Sequence, residues 1–396
     1  MELDIQNILS DNAKSMRRSA IRDLLSVANR PEVISFAGGF PNPSTFPVED
    51  LKEIMQEVLE VESTSALQYG PTEGNAKFRE ILAERYKAQG LNITKNNILI
   101  TTSSQQAIDL TSRVFVSPND TIVCGLPSYL GALQSFWSYQ ARPIGVRKDE
   151  ELEAVVKTLI DSGNKPKFIY TIPDFQNPSG VTMSVEQRRM VLDVAERYDL
   201  LVIEDSPYRE IRFEGEHQPM MYSMNNERVM LFGTLSKTVL PGFRIGWIIA
   251  PEQIIDRLVV AKQSSDLCAP VFDQAVAARY FEKGLFEKNL ARTVDLYRGK
   301  RDHMLKCFEK YMPEGVTWTR PEGGLFLFVK LPEGYDSREL FEEAIKENVA
   351  FVIGEAFHCD GSGKNTMRIN FSFMDEEMTE EGVKRLAKAI KKMLKN

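Results

Sequence analysis

Between Ile98 and Ala250 short runs rich in Val and Ile alternate with longer amphipathic stretches. That alternation confines the chain to a mainly parallel sheet with helices on both faces. The expected strands are Ile98–Thr102, Thr121–Cys124, Lys167–Ile172, Leu200–Glu204, Val229–Phe232 and Arg244–Ala250. Among the helices, Ser184–Tyr198 gathers Met190, Val191, Val194 and Tyr198 on one face, and Ser184 with Gln187 forms a capping-box pattern at its start. Another helix is expected over Ser104–Val116. In such sheets ligands sit beyond the carboxyl ends of the strands, so the residues just after each strand carry the most functional information.

From about Gly315 the pattern changes. Gly324–Leu331 reads as a strand, Ser337–Asn348 as a helix, Met367–Phe373 as a strand and Glu376–Leu394 as a last helix, together a smaller α+β unit. A chain of 396 residues exceeds one ordinary hydrophobic core, which agrees with two domains, and Gly284–Tyr311 is long enough to be a helix joining them. The first 45 or so residues are expected to hold one helix, Ser19–Asn29, followed by the turn-rich Phe36–Pro47. The formal net charge of −7, with both signs interspersed, argues against nucleic acid or an anionic membrane as partner. Cys124, Cys268, Cys307 and Cys359 form no CxxC pair and suit a reducing cytoplasm. The three histidines are scattered, so no metal site is expected. The polar N-terminus has no apolar signal core, and no apolar run reaches the roughly 20 residues a bilayer requires.

The most informative segment is Thr234-Leu-Ser-Lys237, followed by Pro241-Gly-Phe-Arg244-Ile-Gly246. Taken alone a lysine is a solvated surface group; between an apolar strand and a Pro-Gly turn it could instead be partly desolvated, which eases deprotonation and suits a Schiff-base nucleophile. The hydroxyls of Thr234 and Ser236 and the guanidinium of Arg244 suit a phosphate dianion beside it. In Leu200-Leu-Val-Ile-Glu-Asp205-Ser-Pro-Tyr208, an aspartate closing a buried strand calls for a cationic partner, although it could instead cap the next turn. Asn177-Pro-Ser-Gly180 is ordinary turn chemistry on its own. Thr102-Ser-Ser104-Gln105 is either a plain helix cap or a phosphate cradle at a helix N-terminus. Tyr129 could pack in the core or lie against a flat ring.

In order and spacing these segments resemble the fold-type I pyridoxal-phosphate aminotransferases of the class I/II group, from about Val33 to Phe373. Within that group they look most like the 2-aminoadipate and kynurenine aminotransferases. Phe36-Ala-Gly-Gly39, Gln68-Tyr69-Gly70, Ser104-Gln-Gln, Asn177-Pro-Ser-Gly180, Asp205-Ser-Pro-Tyr208, Ser236-Lys237 with Arg244, and Arg368-Ile-Asn-Phe-Ser372 carry the resemblance. Ser103, where the family often has glycine, and Thr234, where serine is usual, depart from it.

The resemblance implies pyridoxal 5'-phosphate (PLP) held by Lys237 as a Schiff base. Asp205 would pair with the ring nitrogen and Tyr129 would stack on the ring, while Asn177 and Tyr208 would reach the ring oxygen. Ser104, Gln105, Ser236 and Arg244 would bind the phosphate. Tyr69 would reach the phosphate of a neighbouring subunit, so a homodimer with shared active sites is implied. Arg368, helped by Asn177 and the backbone at Gly39, would clamp the substrate α-carboxylate. The implied architecture is an arm at 1–47 that also contributes to the small domain, a large PLP-binding domain at 48–300 and a small domain at 301–396.

The implied reaction moves an amino group from an amino acid (2-aminoadipate, aromatic or long aliphatic) to a 2-oxo acid such as 2-oxoglutarate by a ping-pong mechanism. Arg22, in a helix resembling the mobile N-terminal segment of the aminoadipate enzymes, would meet a distal carboxylate; otherwise it is one solvated charge beside Arg17 and Arg18. The same cofactor residues also serve β-lyases acting on cysteine-type substrates. A regulator that uses this fold as a sensor would carry an added helix-turn-helix domain, for which too few residues precede Phe36.

Overall fold

The computed structural model describes residues 4–16, 30–148 and 151–395. Strand β1 (Ile34–Ser35) belongs to a small two-stranded sheet. The alternation seen in the sequence produces β2 (Ile98–Thr101), β3 (Thr121–Gly125), β4 (Arg142–Val146), β5 (Phe168–Thr171), β6 (Leu201–Asp205), β7 (Val229–Thr234) and β8 (Gly246–Ile249). These form one seven-stranded sheet in the order β2-β8-β7-β6-β5-β3-β4. Only β8 runs against its neighbours β2 and β7. The other pairings are parallel.

Strand side chains alternate in direction, so one residue set faces each side of the sheet. Ile203, Phe232 and Ile248 enter one buried cluster, and Val202, Leu231 and Ile249 enter the other. Both faces are therefore apolar, as a parallel sheet sheathed in helices requires. The first cluster continues into the C-terminal unit through Phe326, Leu327 and Ile369. There β9 (Thr317–Trp318), β10 (Phe326–Lys330), β12 (Val352–Ile353) and β13 (Thr366–Asn370) form an antiparallel sheet in the order β12-β13-β10-β9. β11 (Val349–Ala350) pairs in parallel with β1 and so ties the N-terminal segment to this unit.

Helix ends follow local chemistry. The Ser184 hydroxyl accepts from the Gln187 N–H at 3.2 Å and the Gln187 side chain accepts from the Ser184 N–H at 2.8 Å, which starts Val185–Arg197. Asp375 caps Glu376–Met393 in the same way through Met378. The 27-residue helix Leu285–Tyr311 packs on Val271–Glu282 at one end of the molecule and on Glu376–Met393 at the other.

Several boundaries differ from the expectation. The strand expected from Arg244 begins only at Gly246, because Arg244 lies in the left-handed region at φ 51° after the 3-10 turn Pro241–Phe243. The helix expected from Ser104 begins at Ser103 and the strand expected to run to Phe373 ends at Asn370. Two short helices, Ile5–Ile8 and Asp11–Ser15, precede the segment where a single helix was expected. The expected helix Ser19–Asn29, with Arg22, lies outside the described residues. Val48–Val61 and Ala76–Ala88 are helices that the sequence reading did not single out.

Gly246 is where the sheet and the segment after β2 touch. A Cβ on it would lie 2.5 Å from the Ser103 carbonyl carbon and 2.6 Å from the Ser104 nitrogen, both backbone atoms. Gly246→Ala should therefore force β8 and the start of helix Ser103–Phe115 apart, costing about 1–3 kcal/mol. Denaturant unfolding measures this; unchanged stability would mean that the two segments can separate without strain.

Candidate active site

The carboxyl ends of β2, β3, β5, β6 and β7 and the start of β8 lie along one edge of the sheet, and a cavity of about 270 Å³ opens there. Each strand delivers a side chain as it ends. Ser103, Ser104 and Gln105 follow β2, Tyr129 follows β3, Asn177 follows β5, Asp205 closes β6, Thr234 closes β7 and Ser236 and Lys237 follow it, and Arg244 precedes β8. Gly39 and Tyr208 line the same cavity, and Phe326 and Arg368 reach it from the small antiparallel sheet. Sequence segments more than three hundred residues apart thus meet in one site, as the strand-end rule anticipates.

Lys237 extends its amine to the Gly39 carbonyl at 3.0 Å. Burial, with the charges of Arg368 and Arg244 nearby, lowers its pKa from 10.5 to about 8. At pH 7 roughly one such amine in ten is neutral, against a few in ten thousand for an ordinary lysine. Asp205 is buried, and burial pushes its carboxyl up to about 7 although a hydrogen bond from Tyr170 opposes the shift. The Tyr170 hydroxyl donates to one carboxyl oxygen at 2.7 Å, and the other oxygen, Oδ1, is buried without a hydrogen-bond partner. A buried carboxylate oxygen left in this state calls for a cationic N–H.

Arg368 is held on two sides. It donates to the Asn177 side-chain carbonyl at 2.9 Å and to the Ala37 backbone carbonyl at 2.7 Å. Its guanidinium lies 4.2 Å from the centre of the Phe326 ring, and its Nε is buried without a partner. Burial lowers its pKa to about 10, which leaves it charged at neutral pH. Asn177 and Tyr208 converge, with 3.4 Å between the amide nitrogen and the phenol oxygen.

On the opposite side, Arg244 donates to the Ser103 hydroxyl at 2.6 Å. Ser103 has φ 68°, a conformation that glycine adopts without strain, which accounts for the glycine usual in the resembling family. The serine adds a hydroxyl that orients Arg244, a role the sequence reading did not assign. The Thr234 hydroxyl accepts from the Ser236 N–H at 3.1 Å and sits 2.9 Å from the Ile245 carbonyl, so it shapes the turn that presents Ser236. The Gln105 side chain is engaged by Tyr129 at 3.2 Å and by the Gly131 carbonyl at 2.9 Å. Its backbone N–H, in the first turn of helix Ser103–Phe115, is a further donor on this side of the cavity.

Tyr69 does not line the cavity and is 80% exposed. Tyr170 and Phe326 were missed from the sequence. Tyr170 sits inside a strand, where only its alternation with Ile169 hints at its direction.

The lining fits PLP. Among the described residues three cations, Lys237, Arg244 and Arg368, face a single carboxylate, Asp205. Such a balance suits a ligand set with a phosphate, a carboxylate and one cationic ring nitrogen. The phosphate end has the N-terminus of a 13-residue helix, the Ser104 and Ser236 hydroxyls and Arg244. The ring-nitrogen end has the unpartnered Asp205 oxygen.

Comparison with known proteins agrees with the site. Residues 32–386 match the family model for aminotransferase class I and II. Aromatic-amino-acid aminotransferase 1 of Thermococcus litoralis is 45% identical over 99% of this chain and 96% of its own length. The 2-aminoadipate transaminase of Thermus thermophilus is 37% identical, with 96% of each chain covered. The crystal structure of Pyrococcus horikoshii kynurenine aminotransferase in complex with PMP, KYN as substrates and KYA as products superposes with a TM-score of 0.96. It is 45% identical and 99% of each chain is covered. The chain belongs to the class I and II aminotransferases and is a PLP-dependent enzyme of fold type I.

Proposed function

We propose that this aminotransferase takes amino groups from a broad set of donors, aromatic, long aliphatic and 2-aminoadipate, and passes them to a 2-oxo acid such as 2-oxoglutarate. The observation that carries this reading is the pinned, buried Arg368 facing Lys237 across a cavity whose one carboxylate is Asp205. A guanidinium fixed at Asn177 and Ala37 presents its remaining N–H groups to a carboxylate in a set direction, which suits the α-carboxylate common to every donor and acceptor. The relatives named for aromatic amino acids, 2-aminoadipate and kynurenine support the range of side chains. A ping-pong cycle follows, since one carboxylate clamp has to serve the amino acid and the oxo acid in turn.

The assigned roles are these. Lys237 would hold PLP covalently and, as an amine whose pKa burial lowers, would move the proton to and from the substrate α-carbon. When bound, PLP supplies an electron sink for the pair left on that carbon. Asp205 holds the ring nitrogen protonated through the oxygen that Tyr170 leaves open. Tyr129 flanks the ring, and Asn177 and Tyr208 hold its oxygen. Ser104, Gln105, Ser236 and Arg244 neutralise the phosphate, and Gly39 lines the substrate side with Arg368.

Residues 48–300 form the PLP-binding domain in this reading, and 301–396 with part of 1–47 the smaller one. Exposed Tyr69 points to a homodimer with shared active sites, in which it reaches the partner's phosphate. Among the described residues no helix is long and apolar enough to cross a membrane, which fits a cytoplasmic site of action. Neither nucleic acid nor a membrane is a partner in this reading.

Adding L-2-aminoadipate, glutamate, kynurenine, phenylalanine or leucine singly to the yellow holoenzyme should bleach the cofactor band with members of each class. Arg22→Ala should slow only the acidic donors; equal losses for all would remove Arg22 from the specificity site. Pyruvate and ammonia from a cysteine conjugate, without transfer to 2-oxoglutarate, would mean a lyase.

Lys237→Ala should lose the yellow band and turnover while keeping the fold, as circular dichroism reports. In the wild-type apoprotein the rate of PLP attachment should climb with pH and level off above about 8, where the amine is neutral. A rate still climbing steeply past pH 9 would mean an unperturbed lysine.

Tyr170→Phe removes the hydrogen bond that keeps Asp205 ionised. Losing a bond to a charged acceptor should weaken PLP binding to the apoprotein about tenfold. Fluorescence titration of the apoprotein reads this, and an unchanged dissociation constant would assign Tyr170 to packing alone.

A further inference from the structure

Two of the four cysteines, remote in sequence, meet where the two sheets approach each other. Cys124, in β3, is buried, and its register partner in β4 is Gly145. Partners in a parallel pair project their side chains to the same face, so the place of the missing Gly145 side chain lies beside the Cys124 thiol. That place is occupied: a Cβ on Gly145 would lie 3.1 Å from the Cys359 sulfur and 2.5 Å from a Leu126 methyl. Gly145 is thus the gap that lets the Cys359 sulfur descend to the sheet next to Cys124.

The segment bearing Cys359 is fixed on both sides. The Ser128 N–H donates to the Phe357 carbonyl at 2.8 Å, and Arg147 pairs with Asp360 at 2.8 Å. Cys359 itself is only half-buried.

We propose that Cys124 and Cys359 are a reversible dithiol/disulfide site, oxidised by small peroxides, that ties the seven-stranded sheet to the segment following β12. The half-exposed Cys359 thiolate attacks one peroxide oxygen, the O–O bond breaks and hydroxide leaves, giving a sulfenic acid. The Cys124 sulfur then attacks the Cys359 sulfur, its proton leaves with the sulfenic oxygen as water, and the S–S bond forms. Two thiols lose two electrons and one hydrogen peroxide becomes two waters.

The order of attack follows from exposure and charge. The hydrogen bond from Cys124, together with the Gly145 and Cys359 backbone N–H groups, holds the Cys359 thiol below the ordinary range. The contact with Cys359, and then burial, raise the Cys124 thiol well above it. Cys359 is the attacking sulfur and Cys124 the resolving one. The bond would anchor the stretch that holds Phe357, whose ring lies 5.2 Å from the Arg368 guanidinium, so oxidation reaches the wall of the active site.

The test exposes holoenzyme to near-stoichiometric hydrogen peroxide, counts thiols after denaturation and maps non-reduced peptides. The thiol count should fall from four to two with a single Cys124–Cys359 crosslink, and dithiothreitol should restore four. Cys359→Ser, a change at a half-buried position, should keep its three thiols under the same exposure. Cys124→Ser should stall as a sulfenic acid that dimedone traps. Thiol loss in Cys359→Ser at the wild-type rate, a crosslink through Cys268 or Cys307, or over-oxidised Cys359 beside an intact Cys124 thiol would each overturn the proposal.

Discussion

The site is organised around a carboxylate that the fold leaves half satisfied. Asp205 ends β6 in a desolvated position where burial pushes its pKa to about 7, and Tyr170 supplies one hydrogen bond where two oxygens require partners. An isolated carboxylate here would destabilise the sheet end; a cationic ring nitrogen held against Oδ1, as proposed, would remove the deficit. In that reading cofactor binding and the local stability of the strand end would be the same interaction, and ligand binding would contribute directly to folding stability. In the proposed reading a ring aligned on Asp205 would place its other ends toward Lys237 and Arg244, which line the same cavity.

The sheet makes those separations reproducible. The strands that deliver Asp205, Lys237 and Asn177 are neighbours in the order β7-β6-β5, and strand spacing sets the distance between their ends. The reversed strand β8 starts just after Arg244, whose guanidinium closes that end of the cavity against the Ser103 hydroxyl. Arg368 arrives from a different sheet, where its strand partners are Phe328 and Val352, so no strand of the seven-stranded sheet sets its distance from Asp205. Its position depends on side-chain bonds to Asn177 and to the Ala37 carbonyl, which join the two units at the place proposed for the substrate carboxylate.

What the sequence disclosed follows the same division. The strand alternation and the small-residue turns after each strand were legible, since both are local patterns, and they marked the segments holding Lys237, Asp205, Asn177 and Arg244, whose roles came only from the order and spacing that carry the resemblance. Arg368 was legible only through resemblance, because no local pattern states which arginine crosses between sheets. Tyr170 was not legible at all: a tyrosine within a strand has the same local signature whether it packs on Phe136 or donates to a carboxylate, and here it does both. Arg244 was placed inside a strand because its apolar neighbours hide the left-handed turn that aims it. Arg22 falls outside the described residues, and its role rests on the sequence alone.

Cys124 and Cys359 extend this argument to the space between the units. Read along the chain they are unrelated thiols, and no spacing rule connects them. What relates them is an absence, the missing side chain at Gly145, together with anchors on both flanks of Cys359. The active site needs the two units to approach closely enough for Arg368 to reach Asn177. That same approach brings residues from both units into contact wherever the facing surfaces are small enough. Gly145 supplies such a place outside the cofactor cavity, so contact between the units carries a pair of thiols as well as a substrate clamp.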